Sequence, residues 1–181
     1  MSTLIVNLFA GPGAGKSTIA AHLFALLKWE NIECELVREY AKDIVWEESY
    51  KILENQTYVF GTQLHRMHIL KDKVDVIITD APLLNSVLYY AGQFNHQFSE
   101  YVETINNSLW NLNYFVKRMK PYHPKGRYHT EEQSLELDKE IKKLLTRCGQ
   151  EYKEIVGLPS VVPELAVEII KLLKEEKNEQ S

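Results

Sequence analysis

FAGPGAGKST, residues Phe9–Thr18, is the stretch on which the reading of this chain turns. It departs from the G-x-x-x-x-G-K-[ST] phosphate-loop pattern only at its first position, where Ala10 stands for Gly. The flanks supply the missing weight. Leu4-Ile5-Val6-Asn7-Leu8-Phe9 is short, apolar and partly β-branched, the pattern of a buried strand. From Ser17 to Lys28 apolar residues recur at helical spacing. Strand, Gly-rich turn and helix form the context in which such a loop cradles phosphate. Gly11, Gly13 and Gly15 let backbone N–H groups turn inward, and the following helix adds its positive end. Lys16 is expected to reach the β- and γ-phosphates and Ser17 to hold Mg²⁺. Gly11, Pro12, Gly13, Ala14, Gly15, Lys16, Ser17 and Thr18 are thus the expected nucleotide-binding segment. Ala10 closes the strand and needs no positive φ, so its methyl group is expected to be tolerated.

The 181 residues suit one domain with a real core, expected over 1–175 with a frayed tail at 176–181. With 45% hydrophobic and 25% charged residues the chain has an ordinary globular composition. A formal net charge of −4 argues against broad duplex binding while leaving room for a local basic strip. Cys34 and Cys148 lie far apart and in no C-x-x-C pair, which argues against a zinc site or disulfide framework. The apolar N-terminal run is short, lacks a basic leader and flows into the glycine-rich loop, and no stretch is long enough to span a membrane. The expected compartment is the cytoplasm.

Further strands are expected at Glu33–Val37, Val74–Asp80, Asn113–Val116 and Tyr152–Val156. Helices are expected at Ala41–Glu54, Gln56–Lys71, Leu83–Tyr90, Ser99–Leu109, from the Thr130-Glu131-Glu132-Gln133 capping box to about Leu145, and at Pro163–Leu173. Lys117–Tyr128, with Pro121, Pro124 and Gly126, reads as a basic loop. Alternating strands and helices predict an α/β fold with a parallel sheet covered on both faces. Right-handed crossovers then bring the loops after the strands to one edge.

Four chemically loaded segments meet there. Asp80, at the end of Val-Ile-Ile-Thr, is placed beside the magnesium as a ligand or a base, against the plainer role of helix cap. Glu39 is read as the group that orients or deprotonates a substrate hydroxyl, against an ordinary surface Glu. Arg38 binds a substrate phosphate or is a solvated charge. Arg118 and Arg127 stand in the basic loop, expected as a lid over about 117–130 that closes on the transferring phosphoryl group, with Arg127 favoured for the transition state. Gln63 and Arg66, three apart on one helix face, read a base or sugar or are solvated positions. Trp46, Tyr58, Tyr89 and Tyr90 are read as core before ring-stacking residues.

The loop, VREYAKDIVWE after the second strand, VDVIITDAPLL as the third, and KPYHPKGRYHTEEQ as lid together resemble the small AAA-type P-loop proteins found in many bacteriophage genomes. These in turn resemble the ribosylnicotinamide kinase domain of the bacterial NAD-biosynthesis regulator and, more distantly, nucleoside and nucleotide monophosphate kinases. The resemblance runs from about Thr3 to Val156. It implies a P-loop NTPase fold, three-layer α/β/α, with a five-stranded parallel sheet in the order 2-3-1-4-5. It also implies ATP- and Mg²⁺-dependent phosphoryl transfer to a nucleoside, nucleotide or related hydroxyl compound. The Asp-Arg pair that monophosphate kinases carry after the third strand is Asp80-Ala81 here, so their acceptor does not carry over. An N-K-x-D base-reading motif, usual in GTPases, is missing, and the chain shows no extra helical domain of the kind a motor needs. Two other functions remain in competition: a kinase acting on nucleic acid, with Tyr122, His123 and Tyr128 stacking on a strand, and a nucleotide-binding sensor with little turnover.

Overall fold

The computed structural model describes residues 2–92, 94–123, 125 and 128–179. Five strands form one sheet: β1 (Leu4–Phe9), β2 (Cys34–Val37), β3 (Val76–Thr79), β4 (Trp110–Lys117) and β5 (Lys153–Val156). All pairings are parallel and the order is β2-β3-β1-β4-β5. This is the α/β P-loop NTPase-like architecture the resemblance implies, and β1, which feeds the phosphate loop, is the central strand.

The two-residue strand period explains how one sheet serves two cores. Leu4, Val6 and Leu8 point to one face, where α1 (Lys16–Trp29) and α7 (Val162–Glu179) cover them with Ile19, Leu23, Leu27, Leu165 and Ile169. Ile5 and Phe9 point to the other, against Phe60 and Met67 of α3 (Gln56–His68), Val102 of α5 (Asn95–Asn107), and Ile141 and Leu145 of α6 (Glu131–Arg147). Ile77 of β3 and Phe115 of β4 join this second core, while Ile78 and Val116 join the first. Because β1 is buried on both faces, it reads as a continuous apolar run with no alternation.

Element boundaries shift from the sequence reading in a few places. Ala41–Glu54 divides into α2 (Tyr40–Trp46) and a 3₁₀ turn (Tyr50–Glu54), separated at Glu48, whose φ of 56° breaks the helix. Leu83–Tyr90 likewise divides into a 3₁₀ turn (Leu83–Asn85) and the single-turn α4 (Ser86–Tyr89). The capping box holds: Thr130 Oγ1 accepts from the Gln133 N–H and the Gln133 side chain accepts from the Thr130 N–H. Helix α7 runs on through the polar residues beyond Leu173 to Glu179. Lys171–Glu175 pairs one turn apart along it, and Lys177 pairs with Asp75. Among the described residues no helix is long and apolar enough to cross a membrane.

Candidate nucleotide and acceptor site

The loop between β1 and α1 gets its shape from two glycines. Gly13 and Gly15 sit at φ of 83° and 103°, a region costly for any residue with a Cβ. Gly11 is not at positive φ; it is glycine because a Cβ there would lie 2.3 Å from the Ser134 carbonyl oxygen. Ala10 is buried and outside the positive-φ region, so its methyl group is accommodated as expected. Helix α1 begins with no side chain capping its first turn and no acidic residue in it, leaving N–H groups open to an anion. Ser17 and Thr18 lie exposed on that turn.

The Lys16 ammonium donates to the carbonyls of Ala10 (2.7 Å) and Gly11 (3.1 Å), folded over the loop it belongs to. Burial lowers its pKa, opposed by the charges of Glu39 and Asp80. Glu39 stands at the residue preceding α2 with no side-chain capping bond, and burial raises its carboxyl pKa, opposed first by Lys16. Asp80, 4% exposed at the end of β3, accepts from the Glu39 N–H at 3.1 Å. The next amide, Tyr40 N–H, donates to Gln63 Oε1 at 3.0 Å. Two acceptors from neighbouring elements thereby pin the turn that presents Glu39.

Lys16, Ser17, Glu39, Gln63 and Asp80 share one cleft of about 550 Å³. From the phosphate loop it widens to a wall of aromatic rings from Trp46, Tyr50, Tyr89 and Tyr128. Tyr50 and Tyr128 face each other at 6.0 Å between centroids, and His129 lies 6.0 Å from Tyr89. Burial lowers the His129 pKa, which favours the neutral ring. Trp46 and Tyr89, read from sequence as core, instead stand partly exposed on this wall, because α2 ends and α4 stops after one turn at the mouth. Gln63 and Asn85 each keep one buried side-chain atom, Nε2 and Oδ1, without a hydrogen-bond partner.

Other expected residues lie elsewhere. Arg66 pairs with Asp43 at 2.9 Å and stacks over the Tyr40 ring, and exposed Arg38 reaches the same Asp43 at 3.8 Å. Neither arginine lines the cleft. Arg118, expected over a transferring phosphoryl group, has a side chain only 10% exposed, with its guanidinium against Pro12 and Gly13 of the loop. It donates to the Pro12 carbonyl (2.7 Å), Ser134 Oγ (2.6 Å) and Asp138 (3.2 Å). The cause is Asp138, a carboxylate on α6 that also accepts from the Gly11 N–H at 2.5 Å. Ser134 Oγ adds a bond of 2.6 Å to the Pro12 carbonyl. Arg127 lies outside the described residues. The basic segment still reaches the cleft through Lys125, Tyr128 and His129, and the Tyr122 hydroxyl donates to the His129 carbonyl across it.

Sequence reasoning passed over Asp138, Ser134 and Gly157. A Cβ at Gly157 would lie 2.4 Å from the Ala14 carbonyl oxygen, so β5 and the loop are packed backbone on backbone. A Gly directly after a strand was the available signal for it.

A central strand, a loop of this geometry and an open helix start define a P-loop nucleotide-binding domain. The family described as AAA domain (AAA_28) matches residues 5–158, and the chain belongs to it. A solved structure described as NadR protein in complex with NR shares the fold, with a TM-score of 0.62 at 18% identity. The match covers 85% of this chain and 45% of that one, so this chain corresponds to less than half of that protein's length. No curated protein matches the chain.

Proposed function

We propose that the protein transfers a phosphoryl group from ATP to a hydroxyl of a nucleoside-type small molecule. The observation that carries this reading is the single cleft that runs from the phosphate loop, past Glu39 and Asp80, to a wall of aromatic rings. A triphosphate suits one end and a planar ring the other. That the solved structure sharing the fold is described in complex with NR supports a small acceptor.

The donor set fits ATP and Mg²⁺. Gly13 and Gly15 supply the backbone turn, Lys16 the cation for the β- and γ-phosphates, and Ser17 and Asp80 the oxygens for magnesium. Bound there, the nucleotide and its metal supply the transferable group and neutralise its charge. The chain's own residues do the rest. Lys16 exchanges two loop carbonyls for phosphate oxygens. Glu39 carries a carboxyl whose pKa burial raises, which strengthens it as a base for the acceptor hydroxyl. Its position is held by the Asp80 and Gln63 side chains. Lys125, Tyr128 and His129 border the cleft from the basic segment and help exclude water.

A transfer assay with γ-labelled ATP and Mg²⁺ tests this. The acceptor panel holds nucleosides, deoxynucleoside monophosphates, ribosylnicotinamide and single-stranded DNA, with Lys16→Ala as control. Label on a small molecule, lost in Lys16→Ala, is the expected result. Label on DNA alone, or none with ATP still bound, overturns it.

A further inference from the structure

Gln63 occupies an unusual position in the cleft. It is 5% exposed, on a stripe of α3 where Gln56, Val59 and Gln63 all face the cavity. Val45, Trp46, Leu53 and Val59 line the same cleft, together with the polar Tyr40, Glu54 and Asn85. Its amide is not free to flip, because Oε1 already accepts from the Tyr40 N–H at 3.0 Å. The orientation of Nε2 follows from that bond, and Nε2 has no partner and no contact with solvent. The bond to Tyr40 accounts for Oε1, but keeping the buried Nε2 donor unpaired is costly and nothing else among the described residues offsets it.

We propose that Gln63 is a specificity-determining residue whose Nε2 donates to a hydrogen-bond acceptor on the planar ring of the substrate. This rests on the reading of the cleft as the acceptor site. The ligand class is a riboside whose ring carries a carbonyl oxygen or an unprotonated ring nitrogen. A side-chain rotation in the wall uncovers the nitrogen on binding, a change common at ligand sites. A ring lacking such an acceptor leaves the donor unpaired and is rejected.

The residue's two ends allow its two roles to be separated. Gln63→Glu keeps the shape and keeps an oxygen for the Tyr40 N–H, but replaces the donating nitrogen with an acceptor. Gln63→Leu removes both ends. Binding is measured by calorimetry without ATP, so it does not depend on transfer. The ligands are adenosine, cytidine, uridine and ribosylnicotinamide, each against the benzene C-riboside, which has a ring without heteroatom acceptors. Wild-type protein is expected to prefer at least one heteroatom-bearing riboside by about tenfold or more. Gln63→Glu is expected to abolish that preference at about pH 8, where its buried carboxylate also lowers Tm, and to melt closer to wild type at about pH 5.5. It should regain part of the preference at about pH 5.5, where the introduced carboxyl, protonated in its buried site, can donate again. Equal binding of the benzene riboside, no binding of any heteroatom-bearing riboside, or an unchanged preference in Gln63→Glu overturns the proposal. If label transfer succeeds while the preference is absent, this inference falls alone. If the preference stands and no label moves, the kinase reading falls alone.

Discussion

Replacing Gly157 with Ala tests how tightly the nucleotide loop is built into the sheet. Gly157 directly follows β5, and its N–H donates to the Lys117 carbonyl at 2.9 Å. An added Cβ would lie 2.4 Å from the Ala14 carbonyl oxygen and 2.7 Å from that of Lys117. Both obstacles are backbone, so no side-chain rotation relieves them. Ordinary contact begins at 3.4 Å, so the Ala14 oxygen must retreat by about 1 Å. Overpacking of this kind costs about 1–3 kcal/mol. In a domain of this size each kcal/mol lowers Tm by about 2–4 °C, giving a fall of about 2–12 °C. The displaced atom belongs to the phosphate loop, so ATP·Mg²⁺ affinity should weaken by about tenfold. Scanning fluorimetry reads the first effect and calorimetric titration the second. A variant melting within about 1 °C of wild type with unchanged affinity would refute the packing argument. A lowered Tm with unchanged affinity would show that strand end and loop are mechanically independent.

Gly61→Ala should act in the opposite direction: in the exposed interior of α3 its Cβ meets nothing within 4 Å, so helix propensity should raise Tm by about 1–4 °C. Thr130→Ala removes the acceptor of the α6 capping box and should cost about 1 kcal/mol in denaturant unfolding, with Thr130→Ser close to wild type. Glu39 gives a pH signature. Burial raises its folded pKa above the ordinary 4.5, so the native state holds the proton more tightly than the unfolded chain does. Stability from this group is therefore full below the ordinary carboxylate pKa and is lost as pH climbs through the raised one. Glu39→Gln cannot ionise, so its Tm should gain on wild type as pH rises above the ordinary carboxylate pKa; a constant difference with pH would contradict the burial of the carboxyl.

What the sequence made legible, and what it did not, follows from the range of the interactions. β1, its loop and α1 are contiguous, so a local pattern carried all three, including the tolerance of Ala10. The capping box is likewise a four-residue signal. That Glu39 and Asp80 lie side by side was legible because parallel topology sends both strand ends to one edge. Gly11 defeats local reading: its reason for being glycine is Ser134, more than a hundred residues away. The placement of Arg118 depends on Asp138, which sits mid-helix among other charges with nothing in the sequence to single it out. The aromatic wall was misread for a related reason. Whether Trp46 and Tyr89 are core or cleft depends on where two short helices stop, and Glu48 at positive φ is a tertiary outcome.

The bonds that Arg118, Ser134 and Asp138 make to Gly11 and Pro12 bear on how this protein can be varied. They moor both ends of the basic segment, the end of β4 and the start of α6, to the same few atoms of the phosphate loop. A span fixed at two nearby piers changes length cheaply, since doubling a flexible loop costs only about 0.6 kcal/mol in closure entropy. Because the Tyr122 ring lies beside Gly13 and Arg118, insertions or deletions after His123, and not before Tyr122, should leave the nucleotide end undisturbed while reshaping the rim of the cleft. On the proposed reading, acceptor scope and nucleotide chemistry are separately adjustable, and a redesign aimed at a different acceptor should begin on that span.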